Sequence, residues 1–465
     1  MNIKQVYFIG IGGIGMSNLA RYFRHEQLPV AGYDRTPSDL TRRLEAEGIA
    51  VHYEDSVDLI PEAFRDPATT LVVRTPAVPL THSELRYFEE HGFTLMKRAA
   101  VLGEISKDKR ALCVSGTHGK TTTSTLLAHL LRQSGVDCNA FLGGISRNYD
   151  TNLLLSDKSD FAVIEADEFD RSFHHLRPYM AIVTAVDADH LDIYGTHEAY
   201  LESFAHFTEL VRPDGCLVMK QGLALTPRLP QGARLYTYAT ESMPGYEDAD
   251  FRADHIHYQA DRLFFTFHYP GGEVADMELG VPMLIHVENA TAAMALAHLC
   301  GVSDEALRQA LATFRGNQRR FDFQVRRPGF VYIDDYAHHP DELKASIASV
   351  RALYPGKKIT GVFQPHLYTR TRDFAAEFAQ ALSALDKVVL LDIYPAREEP
   401  IPGVTSQIIY DRLTCPERTM ATLDNLVQTL DLDRPEVLVT LGAGNIDRLV
   451  PVLREHFGNV NNGIL

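Results

Sequence analysis

A chain of 465 residues is longer than one hydrophobic core usually supports and predicts two to three domains. Its 45% hydrophobic and 23% charged residues are ordinary for a soluble globular protein and exclude a disordered or fibrous one. A net charge of −16 excludes a general binder of nucleic acid or of anionic membrane surfaces, and five cysteines without a C-x-x-C pair indicate neither a disulfide framework nor a zinc site, which points to a reducing cytoplasm.

In the first hundred residues short apolar runs alternate with amphipathic ones: QVYFI, a helix from about Ser17, PVAGYD, a helix around LTRRLEAEG, and TTLVVRT. This alternation predicts βαβ units on a parallel sheet. Between the first run and its helix stands GIGGIG, in which Gly10, Gly12, Gly13 and Gly15 lie in the strand-to-helix context of a dinucleotide or diphosphate loop. Asp34 follows the next strand, where an acid takes a ribose hydroxyl. By spacing the ligand is NAD or another diphosphate, and a tight turn without a ligand is the alternative. No run is long enough to cross a membrane, so no membrane insertion is expected.

SKDKR (106–110) reads as a linker, after which ALCV, SGTHGKTTT and STLLAHLLRQSG form a strand, a glycine-rich turn and a helix. The turn is too short for the standard G-x-x-x-x-G-K-[ST] loop, because Gly116 stands only three positions before Gly119. Its backbone N–H groups at a helix start still make an anion nest. Lys120 then reaches a terminal phosphate, and the Thr121 hydroxyl takes a magnesium ion. The alternative is a turn whose threonines only cap the helix.

FAVIEADE and MAIVTAVDADH are nearly continuous apolar runs, as expected of strands buried on both faces. They end in Glu165, Asp167 and Glu168, and in Asp187, Asp189, His190 and Asp192. Singly these acids suit solvated loops or helix caps; at strand ends beside a phosphate loop they suit a hard cation. RLYTYA, HIHYQ, RLFFTFHY and ADMELG predict a small antiparallel side sheet, and NATAAMALAHLCG a closing helix. A third βα series follows: FVYIDDY, KKITGVFQ, KVVLLDIYP and EVLVTLGAGN, with helices such as DELKASIASVRALYPG between them. Arg320 of RRFD is placed to pair with phosphate. Tyr336, His366, Arg370 and Arg372 suggest a carboxylate pocket, while His338 and His339 read as metal ligands or as a satisfied helix start.

Together GIGGIGMS, GTHGKTTT, EADEFDRSF, DADHLD, ENATAA, RRFD, DDYAHHPDE, QPHLYTRTR and LGAGNI resemble the Mur ligase family, in the family's order and over nearly the whole chain. The resemblance implies three α/β domains: a Rossmann-like domain for a UDP-sugar over 1–107, a P-loop ATPase-like domain over 108–316, and a Rossmann-like amino-acid domain over 317–465. It is closest to the branch that joins L-alanine to UDP-N-acetylmuramate with ATP and Mg2+ through an acyl phosphate, in a cytoplasmic monomer or weak homodimer. The resemblance implies further that Gly116, Thr117, His118, Gly119, Lys120, Thr121 and Thr122 bind ATP, that Thr121, Glu165 and His190 hold magnesium, and that Asn289 recognises adenine. Lys120, Glu165 and His190 are then the catalytic set. Arg320 and Asp335 reach the nucleotide, the GIGGIG glycines hold the UDP diphosphate, and Tyr336, His338, His366 and Arg370 surround the amino acid.

Three positions depart from the family pattern. No lysine occurs between His190 and Met219, which favours the alanine-adding branch; His286 stands where an asparagine is usual, and Leu367 where an arginine is common. The alternatives are a ligase that attaches a tripeptide to the same sugar nucleotide and, on the first glycine motif alone, an NAD-dependent oxidoreductase.

Overall fold

The computed structural model describes residues 3–75, 77–188, 190–396 and 398–458, with backbone only at 191 and 192. Three α/β domains each carry their own sheet, and the chain packs as two compact units. One unit holds the residues up to Asp254 with Thr266–Ala275 and Glu288–Phe314; the other holds His255–Phe265, Asp276–Val287 and the residues from Arg315 onward. No described helix is long and apolar enough to cross a membrane.

The first sheet consists of β1 (Gln5–Ile9), β2 (Val30–Tyr33), β3 (Ala50–His52), β4 (Thr70–Arg74) and β5 (Thr94–Lys97), all parallel in the order β3-β2-β1-β4-β5. Val6, Tyr7, Phe8 and Ile9 of β1 are fully buried, because helices cover both faces of the central strand and every one of its side chains must be apolar or paired. Helices α1 (Ile14–His25), α2 (Asp39–Ala46), α3 (Ser83–Glu90) and α4 (Arg98–Lys107) belong to this sheet. The strand order reverses beside β1, so GIGGIG occupies the crevice at the carboxyl ends where such sheets take ligands. SKDKR does not form the expected linker. Its first two residues end α4 and its last opens the next strand, which leaves Asp108 and Lys109 as the connector.

The second sheet has ten strands: β6 (Arg110–Ser115), β7 (Asn139–Ser146), β8 (Thr151–Leu154), β9 (Phe161–Glu165), β10 (Met180–Val183), β11 (Cys216–Lys220), β12 (Arg234–Thr240), β13 (Phe251–Gln259), β14 (Arg262–Tyr269) and β15 (Gly272–Leu279). Their order is β15-β14-β13-β12-β11-β10-β6-β9-β7-β8. Helix α5 (Lys120–Gln133) leaves β6, the strand at which the chain switches direction across the sheet. Helices α6 (Leu191–Tyr194), α7 (His197–Glu209), α8 (Leu284–Leu299) and α9 (Asp304–Thr313) follow. The expected side sheet is continuous with this one, and β12 and β13 extend it in parallel rather than antiparallel pairing.

One apolar cluster runs from Phe8 and Leu19 of the first domain through Val101 and Ile105 to Phe141 and Ile164 of the second. Cross-links reinforce it: Asn18 Nδ2 donates to the Leu142 carbonyl at 2.9 Å, and Asn152 Nδ2 to that of Ile14 at 2.7 Å. The first two domains thus form one packed body, and their ligand-facing strand ends are fixed relative to each other.

The third sheet comprises β16 (Asp322–Arg327), β17 (Phe330–Asp335), β18 (Ile359–Phe363), β19 (Lys387–Leu390), β20 (Glu417–Met420) and β21 (Val437–Leu441), in the order β16-β17-β21-β18-β19-β20. Only β16 is antiparallel to its neighbour. Helix α10 (Pro340–Leu353) connects β17 to β18.

Candidate active site

The glycine-rich turn between β6 and α5 is staked down from behind by the end of β10. The Thr117 N–H donates to the Ala185 carbonyl at 3.0 Å, the Thr117 hydroxyl donates to the Asp187 carbonyl at 2.9 Å and shares a 2.9 Å hydrogen bond with Tyr200, and the Thr184 hydroxyl donates to the His118 carbonyl. Gly116 has φ +140 and a Cβ there would lie 2.1 Å from Thr184 Oγ1; Gly119 has φ +82 and a Cβ would lie 2.6 Å from Asn289 Oδ1. Both glycines are therefore required by backbone conformation and by space. Gly119 is the N-cap of α5 and supplies no side-chain cap. The helix thus presents the positive end of its dipole to the loop's concave side, which suits a phosphate.

Lys120 curls over this turn. Its Nζ donates to the Gly116 carbonyl at 2.7 Å and to Glu168 Oε1 at 2.9 Å. Glu168 is 1% exposed, and burial pushes its carboxyl upward against the pull of Lys120. His190 completes the group with Nε2 3.9 Å from Glu168, its backbone at φ +51 and its ring edge-on to Phe169 at 5.2 Å. Thr121 Oγ1 donates to Glu165 Oε1 at 3.1 Å, and the Gly143 N–H holds Glu165 Oε2 at 3.1 Å. A hydroxyl and a carboxylate at the mouth of a phosphate loop form an oxygen set suited to Mg2+, which takes few protein ligands and completes its shell with phosphate and water. No group of three His, Cys, Asp or Glu side chains that could hold a metal ion occurs among the described residues. The residues therefore fit a magnesium nucleotide. Asp187 lies 4.0 Å from the His118 ring; Asp189 and the side chain of Asp192 lie outside the described residues.

Asn289, on α8, is 6% exposed, and its Oδ1 accepts from the Thr123 hydroxyl at 3.2 Å directly beneath Gly119. His286, one turn earlier on that helix, is buried with Nδ1 unpartnered, and burial lowers its pKa to about 4.

At the first sheet Gly12 N donates to Asp34 Oδ2 at 2.7 Å. The acid read as a ribose ligand is thus tied to the glycine loop itself. Between this loop and the second sheet lies a cavity of about 120 Å³ whose lining includes Gly15, Arg98, Gly143, Glu165 and Asp167. It reaches from Gly15 of the first glycine motif to Glu165, the carboxylate bonded to Thr121 of the second.

In the third domain the Tyr336 ring packs against two guanidiniums, 5.2 Å from that of Arg319 and 5.0 Å from that of Arg320. Tyr336, His338 and His366 form a row of rings, 5.2 and 6.0 Å apart at their centroids. Glu342 accepts from the His338 and His339 N–H groups at 2.9 and 3.2 Å. Burial alone would raise its carboxyl, but bonding to His338 and the Arg320 charge hold it well below its ordinary value. Asp335 is buried at the end of β17, and loss of solvent raises it to about 6. LGAGN serves the same sheet edge: Asn445 Oδ1 accepts from Gln364 Nε2 at 2.8 Å, and the Ile446 N–H donates to Gln364 Oε1 at 2.8 Å. Leu367 takes φ +70 at the start of the short helix Tyr368–Asp373, which carries Arg370.

Known proteins are similar to this chain over nearly its whole length. The Mur ligase family catalytic domain matches residues 5–110, the Mur ligase middle domain 114–297, and the Mur ligase glutamate ligase domain 319–444. The UDP-N-acetylmuramate--L-alanine ligase of Parabacteroides distasonis is 59% identical over 453 residues, 97% of each chain. The chain belongs to the Mur ligase family. The corresponding ligase of Porphyromonas gingivalis is 58% identical to this Mur ligase over 455 residues, 98% of this chain and 99% of the other. In structure it is similar to UDP-N-acetylmuramate-alanine ligase MurC from Thermotoga maritima, with a TM-score of 0.81, 26% identity and coverage of 98% of this chain and 100% of that one. A murein peptide ligase from Psychrobacter arcticus shares the fold at a TM-score of 0.66 and 20% identity, over 98% and 99% of the chains.

Sequence reasoning assigned no role in this Mur ligase to Arg98, Gly143 or Thr184, and it grouped Glu168 with metal ligands although the structure pairs it with Lys120. For Arg98 a signal existed: a Lys-Arg pair opening a helix after the short run TLM. Thr184 and Gly143 act through contacts far apart in sequence and carry no local pattern.

Proposed function

We propose that this Mur ligase joins L-alanine to the carboxylate of UDP-N-acetylmuramate at the expense of ATP, in the cytoplasm, as a step of peptidoglycan precursor synthesis. The observation that carries the reading is the cavity that runs from Gly15 of the first glycine loop to Glu165 beside the second. A substrate with a diphosphate at one end and a carboxylate at the other spans such a path. The near full-length relatives that are UDP-N-acetylmuramate--L-alanine ligases support the same substrates. We assign 1–107 to the sugar nucleotide, 108–316 to ATP and 317–465 to the amino acid, a division supported by the extents of the three matching domain models.

In this mechanism a carboxylate oxygen attacks the γ-phosphorus of ATP, ADP leaves, the alanine amine attacks the acyl carbon, and phosphate departs with one former carboxylate oxygen. Thr121, Glu165 and His190 would hold a magnesium ion, which would supply charge neutralisation at the transferring phosphoryl group. Gly116 through Thr122 cradle the phosphates with backbone N–H groups, and Lys120 turns from Glu168 to the β/γ-phosphates. Asn289, its carbonyl bonded to Thr123, offers its amide N–H to adenine. Arg320 and Asp335 serve the nucleotide. Tyr336, His338, His366 and Arg370 receive alanine, with the cationic edge for its carboxylate. Gly10, Gly12, Gly13 and Gly15 hold the diphosphate, which also accounts for Asp34 being bonded to the loop instead of facing a ribose.

Oxygen tracing tests this chemistry. With UDP-N-acetylmuramate labelled by 18O in its carboxylate, the label should appear in the released phosphate; phosphate free of label would rule out the acyl phosphate.

A further inference from the structure

Helix α4 begins in an unfavourable way. Its first turn has no acidic residue and no side-chain cap, and it carries Lys97 and Arg98 where the helix dipole disfavours cations. Two acids after β9 offset this: Lys97 Nζ lies 2.8 Å from Asp170 and Arg98 Nη2 lies 3.3 Å from Asp167. Asp170 and the next residue, Arg171, adopt φ of +51 and +55, so the acidic segment is held in a conformation that side chains rarely take. Two cations at a helix start, opposed by the dipole and held by two carboxylates, can exchange those partners for an anionic ligand.

The placement of Arg98 says which anion. Its side chain lies over Gly15, where a Cβ would be 2.2 Å from Nη1 and 3.0 Å from Cδ, so the glycine gives the guanidinium its path to the amino end of α1. Among the described residues Arg98 is the one cation lining this cavity, which Glu165 and Asp167 also line. A substrate carboxylate entering this cavity meets two carboxylates and needs a counter-charge. Arginine provides that charge in bidentate form and can hold one carboxylate oxygen while the other remains available to react.

We propose that Arg98 is the positioning residue for the substrate carboxylate, released from Asp167 when the sugar nucleotide binds. The inference rests on the functional reading above and adds to it the group that orients the nucleophile. Its signature is discrimination between UDP-N-acetylmuramate and UDP-N-acetylglucosamine, which has the same uridine, diphosphate and pyranose but no carboxylate.

The test is calorimetric titration of both compounds into the full chain, with Mg2+ and a non-hydrolysable ATP analogue present. Arg98→Gln should weaken UDP-N-acetylmuramate binding at least tenfold and change UDP-N-acetylglucosamine binding less than twofold. Arg98→Lys, which keeps the charge and loses the fork, should fall between and carries the test if the glutamine variant does not fold. Asp167→Asn, which removes the competing partner, should tighten UDP-N-acetylmuramate binding two- to fivefold. Equal weakening of both compounds would place Arg98 at the diphosphate and overturn the inference, as would unchanged binding in both arginine variants or no tightening in Asp167→Asn. A wild-type protein that binds the two compounds equally would overturn the functional reading itself.

Discussion

Lys120 and Glu168 pair at the glycine-rich turn, with Nζ 2.9 Å from Oε1. A carboxylate 1% exposed is stabilised here by one ammonium, and in the proposed reaction the same lysine turns to the phosphates. Lys120→Ala should reduce turnover by at least about a thousandfold, since the chemistry depends on neutralising phosphoryl charge. It should also cost about 1–3 kcal/mol of stability, because Glu168 is left without its donor. Lys120→Ala with Glu168→Gln should recover most of that stability in urea unfolding while turnover stays low; a variant with near-normal phosphate release would remove Lys120 from the site. Gly143 offers a second residue-scale check. A Cβ there would lie 2.2 Å from Glu165 Oε2, so Gly143→Ala should displace that carboxylate and raise the magnesium concentration needed for half-maximal rate several-fold. An unchanged magnesium dependence would separate Glu165 from the metal.

Among the elements, the turn into α5 concentrates the most constraint. Gly119→Ala forces a left-handed backbone at a cost of about 1–2 kcal/mol and pushes into Asn289 Oδ1. The KM for ATP should rise about tenfold while the KM for the sugar nucleotide stays within twofold, because the first glycine loop is untouched. Equal effects on both would mean that the turn supports the fold and not the nucleotide. The sequence made the central strands of the first two sheets plain, since β1, β6, β9 and β10 are covered on both faces and must be continuous apolar runs. It hid β3 and β5, whose few half-exposed residues form no such run. It also misdirected the pairing of β12 and β13. Alternation reports that one face of a strand is exposed; it carries no information on strand direction, which the connections decide.

For the whole molecule, local motifs located the loops but not the contacts that join them. Gly-Lys-Thr and GIGGIG are contiguous and legible, whereas Arg98–Asp167 and Lys120–Glu168 connect residues 69 and 48 positions apart, the first pair across the two packed domains and the second within the central one. Packing within the first domain creates a pH-sensitive feature. Glu84 is fully buried under the first sheet with Oε2 accepting from Tyr7 at 2.8 Å, and loss of solvent raises its pKa from 4.5 to about 7. Between these values the unfolded chain loses the proton while the folded chain keeps it, so the stabilisation present below pH 4.5 is lost as pH rises through 7. Glu84→Gln should therefore gain stability over wild type by up to about 3 kcal/mol between pH 5 and 8, measured by urea unfolding; a difference independent of pH would show that Glu84 is ionised throughout. The central claim, an alanine ligase that acts on a sugar-nucleotide carboxylate, is tested most directly by phosphate release with each component omitted in turn. Release should require ATP, Mg2+, UDP-N-acetylmuramate and L-alanine together, and release that persists without alanine or without the sugar nucleotide would contradict it.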